Sequence, residues 1–494
     1  MRAVTACVSA GIFAVSMAVM RGSGPPDDIA GLLAGPKKLL HPKQVDTPRF
    51  NIVILGDGFT QAQLPAYRAA ADKYAADLLG TAPFNTMKDA IAIYRLNVVS
   101  LDQGIDVPKT CDGVDSNRRS TTAGHNNALK VKWCGNSGML KELMFPRSTV
   151  DGETLMWQLA LESGVFPNLT IVLLNDWMFG ALAMPDGELQ EELTDASGAK
   201  SGGFAYVSIE ENLTLDTDLS GALQTPFDPP LMGFPTYATH ETAHLGPFYL
   251  ADEYAKPGRG TLPKYEQHRV ENSLNLSLTD SPPRWSYLLP SGPPASNCPV
   301  ETRPPSPPSP TQIDAGAVPG GLGYEGGVYH ARCRCRMHSD TKPSFCIVCR
   351  RTILDRLSGY LPDDAGLSIV LDSIRVKGPA DDYMLEYKIE GGTLASSFTG
   401  TWPTTGGGWR YLRHEETEER HDLLKRVAPP APGPSGTPAP LKLSYKLKRK
   451  AADGPVTVAT QPPLALKFSN TTGATIQAID GTDHRLTLAL IARR

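Results

Sequence analysis

Runs of consecutive apolar residues punctuate the first part of the chain, separated by stretches in which apolar positions recur at helical spacing. Residues 48–60 (Pro-Arg-Phe-Asn-Ile-Val-Ile-Leu-Gly-Asp-Gly-Phe-Thr) predict a buried strand ending in a glycine turn. From Thr60, placed to cap a helix, Leu64, Tyr67, Ala71, Tyr74, Ala75 and Leu78 share one helical face. Residues 91–99 predict a second strand and 169–175 a third. Between them a helix over 152–164 offers Leu155, Leu159 and Leu161 for packing. Residues 204–208 predict a further strand at the sheet's edge. This alternation predicts an α/β layer with a mostly parallel sheet.

Beyond residue 361 the period falls to two. Segments 367–371, 383–389, 441–447 and 486–491 alternate apolar with polar residues and are separated by turn-rich pieces, which predicts a C-terminal all-β, sandwich-like domain over 361–494. The proline tract at 428–434 reads as a loop within it. His414, His421 and the acidic run Glu415, Glu416, Glu418, Glu419 read as a solvated charged face. Residues 286–320, crowded with proline and serine, predict an irregular surface excursion.

The chemistry concentrates at 236–254, whose centre reads His240-Glu241-Thr242-Ala243-His244. Residues four apart lie on one helical face, so His240 and His244 can offer imidazoles to one Zn²⁺, and Glu241 stands beside it as general base. Pro235 suits a helix start, while Gly246 and Pro247 predict termination just after His244. A chain turning back there meets Asp252 and Glu253 first. Asp252 is the favoured third ligand and Glu253 the alternative; a ligand from a second helix would nominate Glu266 or Glu271, with His268 a weaker option.

Composition adds context. The chain has 494 residues, 41% of them apolar, and a formal charge of −4, enough for two domains and without the basic blocks of a nucleic-acid binder. Residues 1–20 read as a secretory signal peptide or an uncleaved anchor, and 21–47 as a flexible N-terminal segment. The Gly-Asp-Gly turn at 56–58 lacks the remainder of a nucleotide-binding pattern. Asn175 and Asp176 read as turn formers.

Eight cysteines in an exported chain read first as disulfides, with Cys111–Cys134 as one bridge. Cys333, Cys335, Cys346 and Cys349, spaced C-x-C and C-x-x-C, fit either a structural zinc site or disulfides, and export favours disulfides. Met337 fits a core position or a methionine turn beneath the zinc.

Segments 54–60 and 171–176, His-Glu-x-x-His followed by Ala-Asp-Glu-Tyr at 251–254, Tyr324-Glu325-Gly326, and Cys-Arg-Met with Phe-Cys-x-x-Cys occur here in an order that resembles the IgA-peptidase family of metallopeptidases. The resemblance spans about residues 48–358. It implies a metzincin-like catalytic domain over 48–360, His240 and His244 on zinc, Glu241 as general base and Met337 in the supporting turn. It also implies a secreted or periplasmic enzyme acting on a protein or peptide substrate. The segment between His244 and Ala251 departs from the family pattern in its length and in carrying Pro247. The leading reading is therefore a zinc endopeptidase, with no nucleic-acid partner and no membrane contact beyond an N-terminal anchor. The alternatives are a catalytically degenerate surface-binding module and a zinc hydrolase of small amides or esters.

Overall fold

The computed structural model describes residues 29–42, 49–105, 127–129, 131–133, 144–146, 149–175, 181–185, 193–194, 200–209, 234–255, 258–280, 282–286, 317–331, 335–338, 345–361, 367–376, 383–390, 398–401, 422–427, 441–451, 454–466, 473–481 and 484–492. The N-terminal segment read as a signal, Cys111, Cys134, Asp176, Cys333 and the charged run at 414–421 lie outside these residues. So does most of the proline-rich excursion.

A short α1 (Ile29–Leu32) and β1 (Lys38–His41) precede β2 (Phe50–Asp57), α2 (Leu64–Gly80) and β3 (Ile91–Arg95). A small hairpin, β4 (Val131–Trp133) and β5 (Met144–Pro146), leads into α3 (Thr149–Glu162), β6 (Leu169–Leu174), β7 (Ala181–Pro185) and β8 (Gly203–Ser208). The main sheet runs β1-β3-β2-β6-β8-β7. Its four inner strands are parallel, and β1 and β7 run antiparallel on the two edges. Residues 204–208 are thus an interior strand, not an edge; the edge is β7.

Side chains alternate across the sheet with period two, and both faces are covered. Ile52, Ile54, Ile171, Leu173, Ala205 and Val207 face a core shared with α2. Val53, Leu55, Val172, Leu174, Phe204 and Tyr206 face a second core beneath α3. Burial on both faces explains why these strands read as continuous apolar runs. Tyr67 of α2 places its hydroxyl 2.9 Å from the Ile54 carbonyl and 2.7 Å from that of Leu96, fixing the helix to the strand ends.

At the end of β2, Asp57 is fully buried and accepts hydrogen bonds from Gly58 N–H (3.0 Å), Leu129 N–H (3.0 Å), Val131 N–H (3.1 Å), the Asn127 amide (2.6 Å) and the Ser100 hydroxyl (3.3 Å). The Gly-Asp-Gly turn therefore organises neighbouring loops. Gly58 at φ +76° makes the turn, and a Cβ there would lie 2.6 Å from Gly104 O.

After α4 (Phe234–His244) come α5 (Gln267–Asn272), β9 (Leu276–Ser277), β10 (Val318–Gly321) and β11 (Tyr324–His330). The last three form a small antiparallel sheet, so the end of the proline-rich stretch is a strand. A 3₁₀ turn over Arg336–His338 leads to α6 (Ile347–Ser358). The C-terminal part carries β12 (Leu367–Val376), β13 (Tyr383–Glu390), β14 (Phe398–Thr401), β15 (Asp422–Val427), β16 (Lys442–Ala451), β17 (Gly454–Ala465), β18 (Gly473–Asp480) and β19 (His484–Ala492). They form two antiparallel four-stranded sheets, β15-β12-β19-β18 and β14-β13-β16-β17. One shared core takes Ile369, Leu486, Leu488 and Leu490 from the first sheet and Leu385, Ile389, Leu443 and Leu447 from the second.

Candidate metal centre

Helix α4 forms where Pro235 opens a turn and Ala238 and Ala243 bury its inner face. It ends at His244. Leu250 N–H then bonds Ala243 O at 3.0 Å, so the chain folds back along the helix it has just left. Gly246 N–H bonds Gly202 O at 2.9 Å, locking this turn to the start of β8. The return carries Asp252 over the histidines.

His240 Nε2 and His244 Nε2 lie 3.0 Å apart, and Asp252 Oδ1 lies 3.3 Å from the first and 3.4 Å from the second. His240 Nδ1–H donates to the Arg336 carbonyl at 2.7 Å, and His244 Nδ1–H to the Leu250 carbonyl at 2.6 Å. With Nδ1 committed as donor on both rings, each Nε2, when it carries no proton, turns a lone pair towards the other and towards a carboxylate oxygen. Such an arrangement is repulsive unless a cation or proton sits among the three atoms. Ligands on one face of a tetrahedron with bonds of about 2.0–2.1 Å lie about 3.3–3.4 Å apart. The observed triangle has nearly those edges, so His240, His244 and Asp252 fit a zinc ion, and the carbonyls behind the rings orient them.

Electrostatics agree. Burial pulls His244 down, but Asp252 beside it and the Glu241 charge lift it to about 9. Burial alone would raise Asp252, yet His244 and His240 hold its carboxyl well below the usual carboxylate range. Glu241 is raised by burial and by Asp252, against the pull of both histidines and a hydrogen bond from the Ala183 N–H of β7. Tyr254 is raised well above its ordinary value by Asp252, which accepts its hydroxyl hydrogen, and by burial.

The remaining candidates lie elsewhere. Glu266 accepts hydrogen bonds from the Tyr324 hydroxyl (2.7 Å) and Arg269 (3.0 Å), and exposed His268 bonds Tyr265 O at 2.8 Å. Among the described residues, neither these nor Glu271 joins the His240–His244–Asp252 group. Glu253 points away from the histidines: its Oε1 lies 3.1 Å from Cys349 Sγ and 3.7 Å from Cys346 Sγ. Cys335, Cys346 and Cys349 are free and buried. Sulfur separations of 3.5 and 3.6 Å exceed the ~2.05 Å of a disulfide. The expected bridges among these three are therefore corrected to a group of thiols around a carboxylate. Met337 is buried in the cluster that holds Ala238 and Ala243, and its carbonyl accepts Glu253 N–H at 2.7 Å.

Several supporting residues carried no sequence signal. Asp77 of α2 accepts from Thr239 Oγ1 (2.7 Å) and from buried Arg336 (3.3 Å), tying α4 to the 3₁₀ turn over Arg336–His338. Tyr74 bonds Thr242 across the same helix pair at 2.7 Å. Asn275 brackets Ala251, accepting its N–H at 2.9 Å and donating to its carbonyl at 2.8 Å, and reaches Glu253 Oε1 at 3.0 Å. An isolated Asp or Asn offers no pattern by which such distant pairing could be read.

No family model and no curated protein matches this chain. A solved structure described as "CC2D1B coordinates ESRCT-III activity during the mitotic reformation of the nuclear envelope" is similar at 13% identity over 27% of this chain, with a TM-score of 0.19. The chain spans 57% of that structure's length, and a likeness at this level carries no functional argument.

Proposed function

We propose that the chain is a zinc-dependent endopeptidase of the IgA-peptidase, metzincin-like type, acting on protein or peptide substrates outside the cytoplasm. One observation carries the reading: two imidazole nitrogens and one carboxylate oxygen lie mutually 3.0–3.4 Å apart, with the buried Glu241 carboxylate alongside. Three protein ligands leave a fourth position open, as a catalytic site requires and a structural one does not.

A bound zinc supplies Lewis acidity and lowers the pKa of a water it holds towards neutrality. The chain's own groups do the rest. Glu241 takes the proton from the attacking water and passes it to the leaving amine. Ala183 N–H holds that carboxylate in place from β7. Tyr254, kept protonated by Asp252, fixes the third ligand and supplies a hydroxyl at the site. Among the described residues β7 pairs with β8 alone, so its free edge lies beside Glu241 and suits an extended peptide adding as a further strand. That edge favours a polypeptide over a small amide or ester. Placement outside the cytoplasm rests on the apolar run at residues 3–20.

The test is cleavage of casein by the purified chain before and after chelation. Activity should vanish on chelation and return with zinc, and Glu241→Gln should keep its zinc while losing cleavage. A Glu241→Gln protein as active as the parent would overturn the mechanism.

A further inference from the structure

A second group of ligating side chains lies against the first. Glu253, Cys335, Cys346 and Cys349 are each fully buried, and one donor atom from each lies within 4.8 Å of the others. Cys349 Sγ is 3.6 Å from Cys335 Sγ, 3.5 Å from Cys346 Sγ and 3.1 Å from Glu253 Oε1, and Cys346 Sγ is 3.7 Å from Glu253 Oε1. Tetrahedral zinc with sulfur bonds of about 2.3 Å and an oxygen bond of about 2.0 Å separates sulfurs by about 3.8 Å and sulfur from oxygen by about 3.5 Å. Four separations lie near those values.

Two independent observations point to a ligand there. Glu253 Oε2 is buried with no hydrogen-bond partner among the described residues, an expensive state for a carboxylate that nothing neutralises. Cys346 N–H donates to Cys335 Sγ at 3.2 Å, a bond suited to a thiolate, and Cys346 and Cys349 lie at the N-cap and in the first turn of α6, where the helix favours negative sulfur. Acidic groups packed together without water need a multivalent cation if they are to ionise. Three soft thiolates and one carboxylate select zinc over calcium or magnesium.

We propose that Glu253, Cys335, Cys346 and Cys349 bind a second, structural zinc ion with all four positions taken by protein. Its placement gives it a specific task. Glu253 directly follows Asp252, and Cys335 directly precedes Arg336, whose carbonyl orients His240. Between these points Glu253 N–H bonds Met337 O at 2.7 Å. One ion thus clamps the return loop, the methionine turn and the start of α6, and the first site takes its third ligand and an orienting carbonyl from the clamped segments. The proposal rests on residues other than the His–His–Asp set, so its failure would leave the hydrolytic reading standing.

The test uses the full chain and counts metal. Wild type should hold about two zinc equivalents, and a His240→Ala/His244→Ala chain about one. After exchange into cobalt(II), that double variant should still show intense near-ultraviolet thiolate-to-cobalt charge transfer and tetrahedral visible bands, which histidine and aspartate ligands do not give. Cys349→Ser should lose those bands. If Cys349→Ser does not fold, the double variant alone decides. Thiolate bands there establish the site; their absence overturns it. So would a disulfide between any two of these cysteines, seen as two thiols resisting alkylation in denatured, unreduced protein.

Discussion

In the proposed mechanism Glu241 is the base, and its neighbours set its charge: burial raises it, two imidazoles lower it, and one amide of β7 holds it. Replacing it by Gln removes the proton acceptor but keeps shape and hydrogen bonding, so kcat/KM should fall by about 10²–10⁴ with zinc content unchanged. Kinetics with a fluorogenic peptide, beside metal analysis, would check this. The neighbouring carboxylates separate equally sharply. Asp252→Asn should weaken zinc binding at the histidine site by at least about a hundredfold, because it removes a charged ligand. Glu266→Gln should leave that binding unchanged, since Glu266 serves Tyr324 and Arg269 instead. Competition with a chelating dye measures both. The helical pair of histidines was legible because a spacing of four is a local property. The choice between Asp252 and Glu253 was not. Adjacent residues on an extended segment point to opposite sides, and which side held histidines and which held cysteines depended on α6, about a hundred residues downstream.

At the level of elements, β8 was misread as an edge because it was found without its outer neighbour. Its six residues are buried throughout, the mark of an interior strand, whereas an edge strand with one open face should alternate. The true edge, Ala-Leu-Ala-Met-Pro, lacks β-branched residues and announces nothing from sequence. Of the other strands, β2, β3 and β6 were legible as continuous apolar runs and α2 from its helical period, whereas the four-residue β1, Lys38–His41, lies in the segment expected to be flexible and was missed. The junction of β8 with α4 carries the next prediction. Gly202 packs so closely on the turn after His244 that a Cβ would lie 1.8 Å from Gly246 O, a contact with backbone that no rotamer relieves. Gly202→Ala should therefore cost about 2–4 kcal/mol of unfolding free energy and loosen the loop that brings Leu250 O to His244. Urea unfolding and zinc affinity should both report the change; a variant unaltered in both would show that β8 does not brace the helix end.

Over the whole molecule, two cores of different character meet at α6, which gives Ile353, Leu354 and Leu357 to the core around α4 and packs against β18 and β19 of the sandwich. The sandwich was legible because strict alternation, as in Leu441, Leu443, Tyr445 and Leu447, fixes which face is buried. The small sheet of β9, β10 and β11 was not, its strands being two to seven residues long with glycine through β10 and β11. Within that sheet His330 is buried, donates Nδ1–H to Gly320 O at 2.9 Å and has its ring centroid 5.4 Å from that of His338, the rings tilted by 46°. Burial, helped by His338, lowers its pKa from 6.5 to about 3. The folded chain therefore keeps this ring neutral, while the unfolded chain protonates it near pH 6.5. The stability it contributes is complete above pH 6.5 and is lost as pH falls from there towards 3, at about 1.4 kcal/mol per unit. Between pH 7 and pH 4 the loss from this residue should reach about 3 kcal/mol. His330→Asn, whose amide N–H can take the place of Nδ1–H towards Gly320 O but cannot titrate, should lower stability at pH 7 yet flatten the decline towards pH 4 by that amount. Guanidinium unfolding curves at the two pH values measure it, and equal slopes for parent and variant would place the acid sensitivity elsewhere.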